Sequence, residues 1–568
     1  MFERYASFIP NFRGFLEALE EPRACFIRVN RLRADARQFE QAMRRWGWSL
    51  KPLPWYPWGF EAPGLVQSRG SLEYFLGLYY IQGASSMVPP IALAPEPGDT
   101  VLDLCAAPGS KTTQICEMMG DRGFVVANDA FVDRLRILKR HLERHGITSA
   151  VITHRPGDSF PGGMAFRRVL VDTPCSAEGT IRLRGGRARA EATEDEGGIE
   201  RVERGTGRLG LRPAGERPGH DGAAAARAAP RYGPDGPVPQ GVPDRGQDLS
   251  RLYRLQRALI RRAANLCEPG GTIVYSTCTY SPWENEAAID EVLRSRDDLV
   301  VEEIPCDVPG EPGLTSFEGA RFHPSLRKCL RIYPHRLNSW GFFVARLRRK
   351  ETARARAGPA RAGGGAGNVA AGKPAARTDG RPGVLAPAGA GAGMPEAAGG
   401  ADTPSQAAAD RVRTRVIYYF RERFGIPESA FEGCSIVEFG SSAWLTSCAM
   451  PHPARLGKWR PQNPGLRLLR YLKGYQKPTS CGLQRVATSA VRAVADLRED
   501  ELWAFFRGEP VGRRFPGLTS GYAIVRFAGH VIGCGLQTSE GLVTQIPLAQ
   551  RQTVLNSFFL VPSRPASA

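Results

Sequence analysis

Apolar positions between residues 98 and 349 follow two alternating patterns. Short runs rich in β-branched and aliphatic residues occur at 100–105, 123–129, 150–153, 168–172 and 272–277, lengths that suit strands buried on both faces. Apolar residues at helical spacing fill the gaps at 110–119, 132–145 and 249–267, and another such segment follows at 283–294. Strands and helices in alternation predict a parallel, doubly wound α/β sheet. The runs at 330–333 and 341–347 are joined by too few residues for a crossover, so they predict an antiparallel hairpin at the sheet edge.

Flanking blocks read differently. Residues 1–97 form a small α/β lead-in, with an apolar segment at 24–30, a helical pattern over 36–46 and an aromatic-rich stretch at 55–60. Residues 411–561 consist of short apolar runs broken by glycine, and GYAIVRFAGHVIGCGLQ, from Gly521 to Gln537, predicts a hairpin turning at Ala528-Gly529. Two stretches lack apolar periodicity: 182–245, inside the second block, and 350–410, which is almost wholly Ala, Gly, Pro and Arg. Neither can bury enough surface to offset its ordering entropy, so a disordered insertion and a disordered linker are expected there.

Charge sharpens this picture. The chain has 568 residues and a formal net charge of +19, with a pI near 9.7, which favours polyanionic partners and nucleic acid first among them. The charge concentrates at 455–477, where Arg455, Lys458, Arg460, Arg467, Arg470, Lys473 and Lys477 occur with no Asp or Glu. Trp459, Tyr471 and Tyr475 interleave, a pattern suited to tracking phosphates and stacking unpaired bases. The twelve cysteines include no CxxC pair, which argues against a zinc ribbon or a disulfide framework and for a reducing compartment, with no metal. The start, MFERYASFIPNF, lacks a basic and then apolar leader, and no run of 18 apolar residues occurs, so a cytoplasmic protein without membrane contact is expected. No exposed heptad stripe appears, and a monomer is expected.

Candidate chemistry gathers at the strand ends. The run at 100–105 leads into Cys105-Ala106-Ala107-Pro108-Gly109-Ser110-Lys111, a small-residue loop opening a helix, where a ligand can approach backbone N–H groups. Asp129 ends the next strand, where a carboxylate can accept both hydroxyls of a ribose, and Asp158 follows the third, placed to meet an adenine amino group. The fourth strand ends in Asp172-Thr173-Pro174-Cys175, the fifth in Ser276-Thr277-Cys278, and a doubly wound sheet brings these ends together. Two thiols and a carboxylate in one place suit attack on a pyrimidine ring. Thiolate addition at carbon 6 of cytosine makes carbon 5 nucleophilic, the carboxylate can stabilise a proton on the ring, and a second group can assist release.

The segments LDLCAAPGSKTTQ, VLVDTPCSAEGT, YSTCTYSPWENE and RIYPHR with GFFVARL, in that order, resemble the Sun/Fmu (NSUN) family of RNA cytosine carbon-5 methyltransferases. The resemblance spans the lead-in and nearly all of the second block. It implies a Rossmann-like S-adenosylmethionine methyltransferase fold, to which the late hairpin also points, with S-adenosyl-L-methionine as cofactor. It further implies Cys278 as nucleophile, Cys175 as the residue assisting release, and a cofactor site formed by Cys105 to Lys111 with Asp129, Asp158 and Asp172. The third block resembles the C-terminal RNA-binding region of bacterial members acting on ribosomal RNA, which implies a mostly-β, PUA-like domain and rRNA, ahead of tRNA, as the partner. The chain departs from the family at Gln82-Gly83, where Gln-Glu is usual, and in the insertion after Arg182.

Overall fold

The computed structural model describes residues 2–45, 47–63, 65, 71–184, 187–190, 247–351 and 406–558. Most of the expected insertion and linker, and Trp46 at the end of the first helical pattern, lie outside the described residues.

Five parallel strands form the centre: β1 (Thr100–Asp103), β2 (Phe124–Asp129), β3 (Ala150–His154), β4 (Phe166–Asp172) and β5 (Cys267–Thr277). Helices α1 (Ser110–Met118), α2 (Val132–His145) and α3 (Gln247–Leu266) connect them, and α4 (Glu286–Ser295) follows β5. The late hairpin, β6 (Leu330–Ile332) and β7 (Phe342–Arg349), adds antiparallel to β5. The order across the sheet is β6-β7-β5-β4-β1-β2-β3, so the chain reverses direction between β1 and β4. The central strands carry uninterrupted apolar runs, such as Val169–Val171 of β4 and Ile273–Tyr275 of β5, because both faces are covered. Leu102, Val126, Val169 and Ile273 meet α3 and α4 residues on one side, while Val101, Val125, Leu170 and Val274 meet α1 and α2 on the other.

The lead-in forms a four-stranded antiparallel sheet ordered Lys51–Leu53, Tyr56–Glu61, Phe26–Val29, Tyr79–Ile81. Its link to the main unit is a fully buried charged cluster. Arg28 donates to both Glu117 oxygens at 3.0 Å, to Thr113 Oγ1 at 2.8 Å and to Gln82, while His145 meets Glu117 at 2.9 Å. Gln82, at the departure from the family pattern, also donates to Ser86 O and Gln114. Breaking such a pair from one side strands a buried charge and costs about 3–5 kcal/mol.

The third block has two four-stranded sheets with helices at Gln406–Phe424, Ser480–Val486, Glu499–Arg507 and Leu548–Phe558. The hairpin expected at Ala528-Gly529 is present: Phe527 pairs with His530, and both turn residues have positive φ, 47° and 82°, which matches strand twist.

The basic stretch corrects an expectation. Its strand β8 (Pro461–Pro464) pairs antiparallel with β3 and extends the main sheet. Trp459, expected to stack bases, is 3% exposed and packs against Phe160 and Phe166, with ring centroids 5.7 and 5.8 Å away. Its indole anchors the block in the core just before the chain pairs with β3. Arg467 lies 4.6 Å over Trp444, Lys477 donates to Gln545 at 2.7 Å, and of the three aromatic residues only Tyr475 is exposed. No helix among the described residues is long and apolar enough to cross a membrane.

Candidate active site

The reversal between β1 and β4 opens a crevice beyond their carboxyl ends, the usual ligand position in such sheets. The loop from Cys105 to Lys111 borders it. Ala106 N donates to Asn128 O at 2.7 Å and Ala107 N to Asp129 Oδ2 at 3.2 Å, which ties the loop to the end of β2. Gly109, the N-cap of α1, has φ 113°, and a Cβ there would lie 2.8 Å from Leu138 Cδ1 of α2, so the position requires glycine. The first amides of α1, at Ser110 and Lys111, have no intrahelical acceptor and offer themselves to a ligand. Pro108 O accepts a 2.8 Å bond from His141, and Arg28 holds Ser110 O at 3.0 Å.

The acids fall around this loop. Asp129, 2% exposed, accepts from Phe131 N at 3.0 Å and faces Arg134 at 3.3 Å; burial raises its carboxyl against the pull of Arg134. Asp158 stands after β3 with a buried Oδ1 that has no partner among the described residues. Asp103, unassigned from sequence, has a second such oxygen, also Oδ1, while its Oδ2 accepts from Thr112 at 2.7 Å; burial pushes this carboxyl up to about 7. Two orphaned acceptors, the unpaired amides of Ser110 and Lys111 and a ribose-type acid fit a nucleoside cofactor bearing amino groups and positive charge. Phe131, 47% exposed beside Asp129, adds an uncovered aromatic face.

Strand register explains how the cysteines meet. Asp172 of β4 pairs with Ser276 of β5, and Thr173 N donates to Ser276 O at 3.0 Å. Cys175 and Cys278 follow three and two residues later, and their sulfurs lie 3.2 Å apart, with Cys278 N 3.3 Å from Cys175 Sγ. The Cys278 contact, then burial, pushes the Cys175 thiol well up, so it holds its proton at neutral pH. Asp172 is clamped between Lys111 Nζ and Ser276 Oγ, each at 2.7 Å, which bridges the cofactor loop and the thiols. Cys105 stands at the start of the loop, its thiol also pushed well up by burial, which suits packing more than nucleophilic attack.

Close backbone approach completes the thiol loops. Gly179 N donates to Cys278 O at 2.9 Å and Gly341 N to Gly179 O at 3.0 Å; a Cβ on Gly179 would lie 2.4 Å from Gly341 O and 2.8 Å from Cys278 O. Buried Glu284 accepts from Ser176 N at 2.9 Å, Ser176 Oγ at 2.6 Å and Gln256 at 2.9 Å. Sequence reasoning passed over Asp103, Ser276, Gly179 and Glu284. Asp103 and Ser276 carried a signal, as polar residues at the ends of buried strands; Glu284 and Gly179 act through contacts distant in sequence.

Sheet, hairpin, loop and strand-end acids together define a Rossmann-like fold of the methyltransferase type. The thiol pair narrows the class. The chain belongs to the 16S rRNA methyltransferase RsmB/F family, whose model matches residues 90–200 and 242–348, in agreement with the Sun/Fmu resemblance. A model of the N-terminal domain of 16S rRNA methyltransferase RsmF matches residues 2–84. A 28S rRNA (cytosine-C(5))-methyltransferase of Mus musculus is 33% identical over 59% of this chain and 36% of its own length. A tRNA (cytosine(49)-C(5))-methyltransferase of Pyrococcus abyssi is 31% identical over 61% of this chain and 94% of its own. Ribosomal RNA small subunit methyltransferase F of Erwinia tasmaniensis is 32% identical over 60% of each chain. A solved methyltransferase homologue from Pyrococcus horikoshii shares 27% identity over 61% of this chain and 93% of its own, with a TM-score of 0.46. The chain spans about a third of the length of the mouse and human relatives it matches.

Proposed function

We propose that the chain methylates carbon 5 of cytosine in RNA, with ribosomal RNA as substrate and S-adenosyl-L-methionine as methyl donor. The observation that carries this is the 3.2 Å pairing of Cys175 and Cys278 beside Asp172. Cys278, immediately after β5, adds to carbon 6 of the base. Asp172, held by Lys111 and Ser276, accepts a hydrogen bond from the base edge and stabilises a proton on the ring nitrogen as the adduct forms. Cys175, whose thiol keeps its proton, assists release by giving that proton to the departing Cys278 sulfur, and the Cys175 thiolate so formed takes up the carbon-5 proton. The cofactor, when bound, supplies an activated methyl group. Asp129 takes its ribose, Asp158 its adenine amino group, and the loop from Cys105 to Lys111 approaches its methionine part.

RNA as partner draws support from exposed cations in the basic stretch of the third block. Lys458, Arg460, Arg470 and Lys473 are exposed there, and none has an acidic partner among the described residues. Arg155 and Arg460 stand close enough to depress the Arg155 guanidinium, after burial, which favours a polyanion between them. In this reading residues 1–97 and 411–561 are RNA-binding units around a catalytic unit at 98–349, and the enzyme acts as a cytoplasmic monomer.

Bisulfite sequencing of total RNA from cells with and without the gene tests the proposal. Loss of one or a few protected cytosines in ribosomal RNA is expected. Loss in transfer RNA instead would move the substrate to the class that the Pyrococcus abyssi relative's name gives, and an unchanged profile would refute the activity.

A further inference from the structure

The carboxylate of Glu284 is buried, 1% exposed, it forms no ion pair among the described residues, and its hydrogen bonds gather behind the two cysteine loops. Its Oε2 accepts from Ser176 N and from Gln256 Nε2, its Oε1 from Ser176 Oγ, and Thr279 Oγ1 lies 2.8 Å from Ser176 Oγ and 3.4 Å from Oε1. Gln256 Nε2 also donates to Pro174 O at 2.9 Å. Pro174 and Ser176 flank Cys175, and Thr279 follows Cys278. The acid thus ties the two cysteine loops to each other from behind. Tyr275 OH holds Glu284 O at 2.6 Å, which fixes the acid to the strand that carries the nucleophile. Leaving a carboxylate desolvated without a counter-ion is costly, and a neutral side chain would fill the same space without that cost. The arrangement therefore points to a need for an acceptor of three donors.

We propose that Glu284 is a positioning residue that sets the distance between Cys175 and Cys278, and through it the release of the methylated base. This rests on the role assigned above to the two thiols. Glu284→Gln turns an acceptor into a donor facing Ser176 or Gln256, so the Cys175 loop loses its anchor while Cys278 keeps its own strand. Addition then continues and release slows.

Two readouts test this on the full chain. In the first, diamide oxidises the two thiols to a disulfide, followed by mass spectrometry without RNA. Wild type is expected to crosslink Cys175 to Cys278 at least about tenfold faster than Glu284→Gln, because the rate depends on sulfur proximity. In the second, ribosomal RNA from cells lacking the gene and S-adenosylmethionine are supplied, and denaturant-stable protein–RNA adduct is measured against methyl incorporation. Glu284→Gln is expected to accumulate adduct with turnover at least about tenfold down, and Glu284→Asp, which keeps the acceptor, to recover part of it. Equal crosslinking rates in wild type and Glu284→Gln overturn the proposal whether or not any RNA is methylated. Loss of turnover without adduct, at an unchanged melting temperature, also overturns it. If wild type itself methylates no RNA, the proposed function fails and the crosslinking rates still decide the positioning role.

Discussion

Replacing Asp103 by asparagine should make the protein more stable at alkaline pH than at acid pH, relative to wild type. Asp103 ends β1 among aliphatic side chains, with Thr112 as its one hydrogen-bond donor and Oδ1 unpartnered among the described residues, and Asp172 and Asp129 add repulsion. Its carboxyl is pushed from 3.8 to about 7, chiefly by burial. A folded-state value above the unfolded one means that the native protein holds this proton more tightly. Below pH about 4 both states are protonated and the group costs nothing; as pH rises through about 4 to 7 the unfolded state ionises first and stability is lost. A rise of roughly 3 pH units at about 1.4 kcal/mol each sets the loss at up to about 4 kcal/mol above pH 7. The asparagine oxygen still accepts from Thr112, and its amide has no charge to desolvate. Urea unfolding of wild type and Asp103→Asn, without cofactor, from pH 4.5 to 8.5 gives the difference, because titrating groups that do not interact with Asp103 cancel. A difference that grows with pH by about 2–4 kcal/mol is expected. Parallel curves would refute the burial argument.

Trp459→Ala should cost about 3–5 kcal/mol as a large buried aromatic, and should expose the junction of β3 and β8 to limited proteolysis. Unchanged stability with weakened binding of single-stranded RNA would restore Trp459 as a stacking platform. Gly179→Ala should push Cys278 and Gly341 apart at a cost of about 1–3 kcal/mol and slow methyl transfer far more than it lowers the melting temperature; wild-type turnover would show that the close approach has no catalytic consequence.

Much of the sheet was legible because parallel strands buried on both faces need a near-continuous apolar run, and β1 to β5 each contain one. The acids and thiols were legible for a related reason: Asp129, Asp172, Cys175 and Cys278 stand where those runs stop, and the topology gathers the stops at one edge. Strand β8 escaped notice because Pro461 and Pro464 bound it, and proline is tolerated in a sheet only where its missing donor faces outward, as it can at an edge. Trp459 was misplaced since a tryptophan among arginines looks alike whether it faces RNA or Phe160 and Phe166; only the pairing of β8 with β3 decides. Arg28 and Glu117, far apart in sequence, form a buried pair that no local pattern announces. Glu284 sat in a recognised motif, yet its work is done on Ser176, across from a different strand.

The proposed function divides labour between two thiols 3.2 Å apart. Cys278→Ala and Cys175→Ala, each incubated with ribosomal RNA from cells lacking the gene and S-adenosylmethionine, test it most directly by denaturing electrophoresis of protein–RNA adduct. Cys278→Ala should form neither adduct nor methylated product, and Cys175→Ala should accumulate adduct. Adduct on Cys278→Ala and none on Cys175→Ala would contradict the account and make Cys175 the nucleophile.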